Sequence, residues 1–186
     1  GGGVAGLEAA RVAATRGHNV TIYEKEDHLG GLMIPGEVPE FKKYDRLLLD
    51  WYKLQMKELG VNIKLNTEIN PELIDSLDAD DIVVATGSTP RMLNVPGADG
   101  DNVMTAADAL LGKKKISKSV VVIGGGQVGC ETAIWLKDQG YDVSIIEAKD
   151  SLIAATAEPI AQANRDMLLE LLIYKNIPTY TSAQVK

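Results

Sequence analysis

One stretch of this chain occurs twice. Residues 1–29 and 124–152 align without a gap at an offset of 123, and 12 of the 29 positions are identical, so both copies should fold into the same unit. Each copy places glycines at relative positions 1, 3 and 6 (Gly1, Gly3, Gly6 and Gly124, Gly126, Gly129), turns again at Gly17 or Gly140, and closes on Glu24 or Glu147. Both carboxylates stand 23 residues after the first glycine.

Those residue types suit a dinucleotide. The first glycine allows a tight strand-to-helix turn, the second lets the backbone approach a pyrophosphate, and the third lets the helix pack closely on its strand. Free N–H groups at the helix start, with the helix dipole, attract the phosphates. Helices are expected from Val4 to about Thr15 and from Val128 to about Gln139. The β-branched segments Val20–Tyr23 and Val143–Ile146 then read as parallel strands buried on both faces. Glu24 and Glu147 end these strands, where a carboxylate accepts hydrogen bonds from both ribose hydroxyls and repels a 2′-phosphate. Both sites are therefore expected to prefer non-phosphorylated adenosine, with Lys149 working against that preference at the second. One such match alone also fits glycines that serve only a turn. Two in register, the second fed by an apolar strand at Val120–Ile123, point to nucleotide binding. The first copy begins at the turn itself, so a strand is expected ahead of Gly1.

Composition removes other classes. The 19 Lys+Arg against 26 Asp+Glu leave a net charge of -7, which gives no broad basic footprint for nucleic acid or anionic membrane, and the lysines at 113–115 are too few to reverse it. The single cysteine, Cys130, excludes an internal disulfide, a CxxC pair and a cysteine metal cluster. It follows a loop glycine on a helix face and reads as packing. No run reaches the roughly 20 apolar residues of a membrane span. A cytoplasmic protein with no nucleic-acid or membrane partner is expected. His18 and His28 have no carboxylate partner that the sequence identifies and read as solvated.

Between the copies, Phe41, Tyr44, Leu47, Leu48, Trp51, Leu54 and Leu59 approximate helical spacing over Pro39–Leu59, and are expected to pack inward. Val61–Leu65 reads as a short strand, Pro71–Leu77 as a helical turn or two, and Asp81–Ala85 as a buried strand leading into Thr86 and Gly87. Thr105 is a candidate cap for a helix through Leu111. The crossing after Gly112 sets the expected boundary between domains 1–112 and 113–186. Pro159 to about Lys175 reads as a helix with Ile160, Met167, Leu168, Leu171 and Leu172 inward, and Thr179–Val185 as a strand. Both domains look truncated, the second at its C-terminus.

GGGVAGLEAA, YEKEDHLGG, VVATGSTPR and VVVIGGGQVGCETA together resemble flavoproteins of the pyridine nucleotide-disulfide oxidoreductase superfamily, over nearly the whole chain. That resemblance implies α/β architecture with two Rossmann-like domains, one for FAD and one for NAD(H). LGGLMIPGEVPEF and WYKLQMKELGVNIKLNTEI resemble the C-terminal half of the NADH:flavin oxidoreductases related to 2,4-dienoyl-CoA reductase, 2-enoate reductase and trimethylamine dehydrogenase. The small subunit of glutamate synthase has a similar layout.

By this resemblance Gly1, Gly3, Val4, Ala5 and Gly6 would hold the FAD pyrophosphate, Glu24 and Lys25 would meet the adenosine ribose, and Gly31 with Leu32 would line the flavin side. Ile69 would touch adenine through its backbone, and Ala85, Thr86 and Gly87 would pass close to the FAD. Gly124, Gly126, Gln127, Val128 and Glu147 would bind NADH. The sequence departs from the superfamily in three ways. No CxxC follows Gly31, which removes the disulfide-reductase branch. The later segment ending in Gly-Asp would fall beyond Lys186. An amino-terminal barrel with FMN and a 4Fe-4S cluster, found in the dienoyl-CoA reductase branch, would lie ahead of Gly1 as a fused domain, and an oligomer is compatible with this layout. Hydride transfer between nicotinamide and flavin asks no acid or base of the protein, so no catalytic residue is expected. An enzyme that passes electrons to a separate enoate or dienoyl-CoA site is one reading. A module that holds ADP or NAD without turnover is the other.

Overall fold

Both copies of the repeat fold as glycine turn, helix and strand, within a structure known here as a computed structural model that describes residues 1–154 and 160–186. The chain divides into two compact units, Gly1–Pro90 and Arg91–Lys186. In the first, α1 (Val4–Thr15) leads to β1 (Thr21–Tyr23), then α2 (Met33–Gly36), a 3-10 turn at Glu40–Lys42, α3 (Lys43–Glu58), β2 (Asn62–Lys64) and α4 (Pro71–Ser76). β1 and β2 pair in parallel with Ile22 opposite Ile63. The second holds α5 (Ala106–Leu110), β3 (Ser119–Ile123), α6 (Gln127–Asp138), β4 (Asp142–Ile146), α7 (Gln162–Tyr174) and β5 (Thr179–Tyr180). Its parallel sheet runs β3, β4, β5, with Val120 opposite Val143. Residues 91–112 fall within this unit, where α5 packs on α6. Among the described residues no helix is long and apolar enough to cross a membrane.

Each unit has its own core. Leu7, Ala10, Ile22, Leu29, Leu49, Tyr52 and Met56 form the first. Cys130, Ala133, Ile134, Leu136, Val143, Ile145, Leu168 and Leu172 belong to the second. Thr105 caps α5 as expected, its Oγ1 accepting from the Asp108 N–H at 3.1 Å.

Four expectations fail. The apolar row on α3 faces outward: Tyr44 is 70% exposed and Leu47 62%, and Phe41, Leu48, Trp51 and Leu54 are exposed too. The buried row is Leu49, Tyr52 and Met56, which packs against α1. This helix carries two apolar rows, so periodicity alone cannot choose between them. The Arg11 guanidinium, held by Glu8 at 2.8 Å, lies 5.5 Å from the Trp51 ring centre and covers part of the outer row. Met56→Ala is expected to cost about 3 kcal/mol and Leu47→Ala less than about 1 kcal/mol, as read by chemical denaturation.

Residues 81–85 form no strand, and Ile82, Val83 and Val84 are exposed. A strand needs a ladder partner, and among the described residues the first unit's sheet consists of β1 and β2, neither of which pairs with this segment. The expected strand at 179–185 shrinks to Thr179–Tyr180, beyond which Ser182 turns at φ 52°. On α7, Leu168 and Leu172 are buried and Met167 is half exposed. The expected helix start at Pro159 lies outside the described residues.

Candidate functional site

The same geometry is built twice. Gly3 caps α1 at φ −76°, ψ −178°, and Gly126 caps α6 at φ −73°, ψ −177°. Neither helix has a side-chain cap or an acidic residue in its first turn, which leaves the opening N–H groups of both without a side-chain acceptor. The third glycines are fixed by the fold: a Cβ on Gly6 would stand 1.9 Å from the Gly1 carbonyl oxygen, and one on Gly129 1.9 Å from that of Gly124. The second glycines are not. A Cβ on Gly126 would meet nothing within 4 Å, and one on Gly3 only the Gly31 Cα at 3.9 Å. Glycine at a position where the protein leaves room fits a pyrophosphate lying against the backbone.

The carboxylates clamp the loops. Glu24 Oε2 accepts from the Gly2 N–H at 2.6 Å and its Oε1 from the Glu26 N–H at 2.9 Å. Glu147 repeats this with Gly125 at 2.6 Å and Lys149 at 2.8 Å. Each oxygen keeps a further lone pair for a ribose hydroxyl. Burial opposes ionisation of Glu24, but the N–H groups of Glu26 and Gly2 outweigh it and hold its pKa below the usual range. For Glu147 the Lys149 N–H is the leading cause, ahead of burial, and the result is again a lowered pKa.

Sequence reasoning missed the middle glycines. A Cβ on Gly2 would lie 2.6 Å from Leu29 Cδ2, and one on Gly125 2.3 Å from Leu152 Cδ2. The signal was present, since these glycines, and the leucines over them, are identical in both copies.

The other expected residues vary in their placement. Gly31, at φ 53°, approaches Gly3, where a bridge joins Gly3 to Gly30, and Leu32 beside it is 53% exposed. The Ala85 carbonyl and Thr86 Cα lie against Gly1, and Gly87 turns at φ 73°. Ile69 follows Thr67, whose N–H donates to the Glu24 carbonyl at 2.8 Å. Val4 is half-buried against the first core, and Ala5 is exposed at the loop. Lys25 reaches Glu26 at 3.8 Å. Gln127 donates to Glu131 along α6, and Val128 is 65% exposed at the loop.

Beside Gly124 and Glu147 lies a cavity of about 410 Å³ at the C-terminal ends of β3 and β4. Arg91, Asn94 and Gln184 also line it, and the repeat could not single them out because they fall outside it. Cys130 is fully buried and donates to the Gly125 carbonyl at 3.5 Å. Burial pushes its pKa up to about 11. A thiol reagent at pH 8 is expected to leave it unmodified until the protein is unfolded, and labelling of the folded protein at the unfolded rate would contradict this. His28 does have a carboxylate partner, Asp27 at 2.6 Å, on the exposed surface. The sequence alone did not identify this partner. Among the described residues no cluster of His, Cys, Asp or Glu could hold a metal.

Comparison with known proteins agrees with this geometry. The family model described as pyridine nucleotide-disulphide oxidoreductase matches residues 1–186. A cinnamate reductase of Clostridium sporogenes is 48% identical over 185 residues, which cover 100% of this chain and 27% of that protein. An NADH oxidase of Thermoanaerobacter brockii is 40% identical over 166 residues, 87% of this chain and 25% of that protein. The chain thus spans about a quarter of these curated relatives. The solved structure of a 2-naphthoyl-CoA reductase in complex with 2-naphthoyl-CoA superposes with a TM-score of 0.90 at 32% identity, over 100% of this chain and 28% of that one.

Proposed function

Since the chain belongs to the pyridine nucleotide-disulphide oxidoreductase family, we propose that it is the NADH-oxidising, FAD-binding portion of a flavin-dependent oxidoreductase. The observation that carries this reading is the duplicated loop: two uncapped helix starts, each with a second glycine facing open space and a carboxylate held ionised beside it.

In the first unit the N–H groups at Gly3, Val4 and Ala5 would hold the FAD pyrophosphate, and Glu24, already fixed by Gly2 and Glu26, would accept from the ribose. In the second, Gly126, Gln127 and Val128 would do the same for NADH, with Glu147 on its ribose. Bound together, the two cofactors would supply hydride transfer from nicotinamide to flavin. The chain's own residues would bind and orient, and none would move a proton. A carboxylate held below the usual pKa range stays charged at neutral pH and disfavours a 2′-phosphate, which supports NADH over NADPH.

The names of two relatives, a cinnamate reductase and a 2-naphthoyl-CoA reductase, support an onward acceptor of the enoate or acyl-CoA type. We place that acceptor at a separate site in a fused domain carrying FMN and a 4Fe-4S cluster. The test is optical. The intact protein should be yellow and bleach anaerobically with NADH, and more slowly with NADPH. A colourless preparation that FAD cannot reconstitute would instead favour a non-catalytic nucleotide module.

A further inference from the structure

We propose that Arg91 supplies the cation that neutralises the phosphates of the dinucleotide at the second loop, an inference that rests on the reading of that loop as an NAD(H) site. A pyrophosphate carries about two negative charges, and a helix start offers only about half a positive charge against them. The loop adds none, because Gly124 to Gly129 includes no charged side chain and α6 has no basic residue in its first turns. Glu147, pinned beside it, adds a negative charge instead.

The cavity against Gly124 and Glu147 has one cation among its described lining residues, and that is Arg91. Its guanidinium makes no hydrogen bond or ion pair with any described residue. The hydrogen bonds that Glu147 accepts come from the Gly125 and Lys149 N–H groups and not from Arg91. Asp108, which lines a second pocket in this unit, is engaged by Thr105 and Lys113. Arg91 is exposed and lines the same cavity as Gly124, the first glycine of the loop, and a guanidinium can grip phosphate oxygens two at a time.

The test uses ligands that differ in phosphate. Binding of ADP-ribose, AMP and adenosine to the intact protein is measured by calorimetry for the wild type, Arg91→Met and Arg91→Lys. Arg91→Met should weaken ADP-ribose about tenfold and AMP by less, and leave adenosine unchanged. Arg91→Lys should recover only part of the ADP-ribose affinity, because it keeps the charge and loses the two-pronged grip, and the salt dependence of ADP-ribose binding should be shallower in Arg91→Met. Equal ADP-ribose binding by wild type and Arg91→Met would overturn the role of Arg91 while sparing the NAD(H) reading. Equal loss of adenosine would also overturn it, because Arg91 would then shape the base pocket. A wild-type protein that binds none of the three would sink the NAD(H) reading itself.

Discussion

Gly129→Ala should destabilise the protein by about 3 kcal/mol or more, while Gly126→Ala, three residues away, should leave its melting temperature unchanged and weaken NAD(H) binding at least about tenfold. The contrast follows from what each new methyl would meet. At position 129 it would sit 1.9 Å from the Gly124 carbonyl oxygen, which is backbone and cannot rotate away, so α6 must lift from its strand. At position 126 it would meet no protein atom within 4 Å and would project into the space where we propose that the phosphates lie. The first unit should repeat the pattern, with Gly6→Ala unfolding it and Gly3→Ala sparing the fold but losing flavin. Thermal melts paired with binding titrations check this. If Gly126→Ala lowered stability as much as Gly129→Ala, the open space there would have to be structural.

Glu24→Gln is the second change with a large expected effect. The carboxylate accepts from the N–H groups of Gly2 and Glu26 at the same time, on different oxygens. A glutamine can satisfy one of them and must turn an N–H donor toward the other, leaving a buried donor unpaired at a cost of roughly 2 kcal/mol. Glu147→Gln should cost less, because Glu147 is less buried than Glu24. The pH dependence has a definite sign. A carboxylate whose folded pKa lies below its unfolded value of 4.5 contributes stability that is complete at neutral pH and is lost as pH falls through the folded value. Acid unfolding of wild type should therefore begin below about pH 5, and Glu24→Gln should flatten that limb. An unchanged acid limb would mean that the clamp carries no linkage.

The repeat made both loops, the places of both carboxylates and the parallel strands after them legible, because glycine and carboxylate at fixed spacing answer to backbone geometry rather than to distant packing. What the sequence hid depended on partners. The outer row of α3 is as apolar as its inner row, and it is the packing with Leu7, Ala10, Ile22 and Leu29 that selects Leu49, Tyr52 and Met56 as the buried ones. Ile82–Val84 has the composition of a buried strand, but composition does not supply a neighbour to pair with. Arg91 stands in a linker with no period, so nothing in its context ties it to Gly124 until the chain is folded. Gly2 and Gly125 were overlooked for a different reason. The glycine pattern sought skips that position, although identity in both copies marked it.

The account depends on two independent nucleotide sites, one per loop, and counting bound adenine tests it most directly. Intact wild-type protein saturated with FAD and ADP-ribose should hold one of each, Gly3→Ala should lose the first and keep the second, and Gly126→Ala should do the reverse. A single adenine per chain, or loss of both ligands together in either variant, would contradict it.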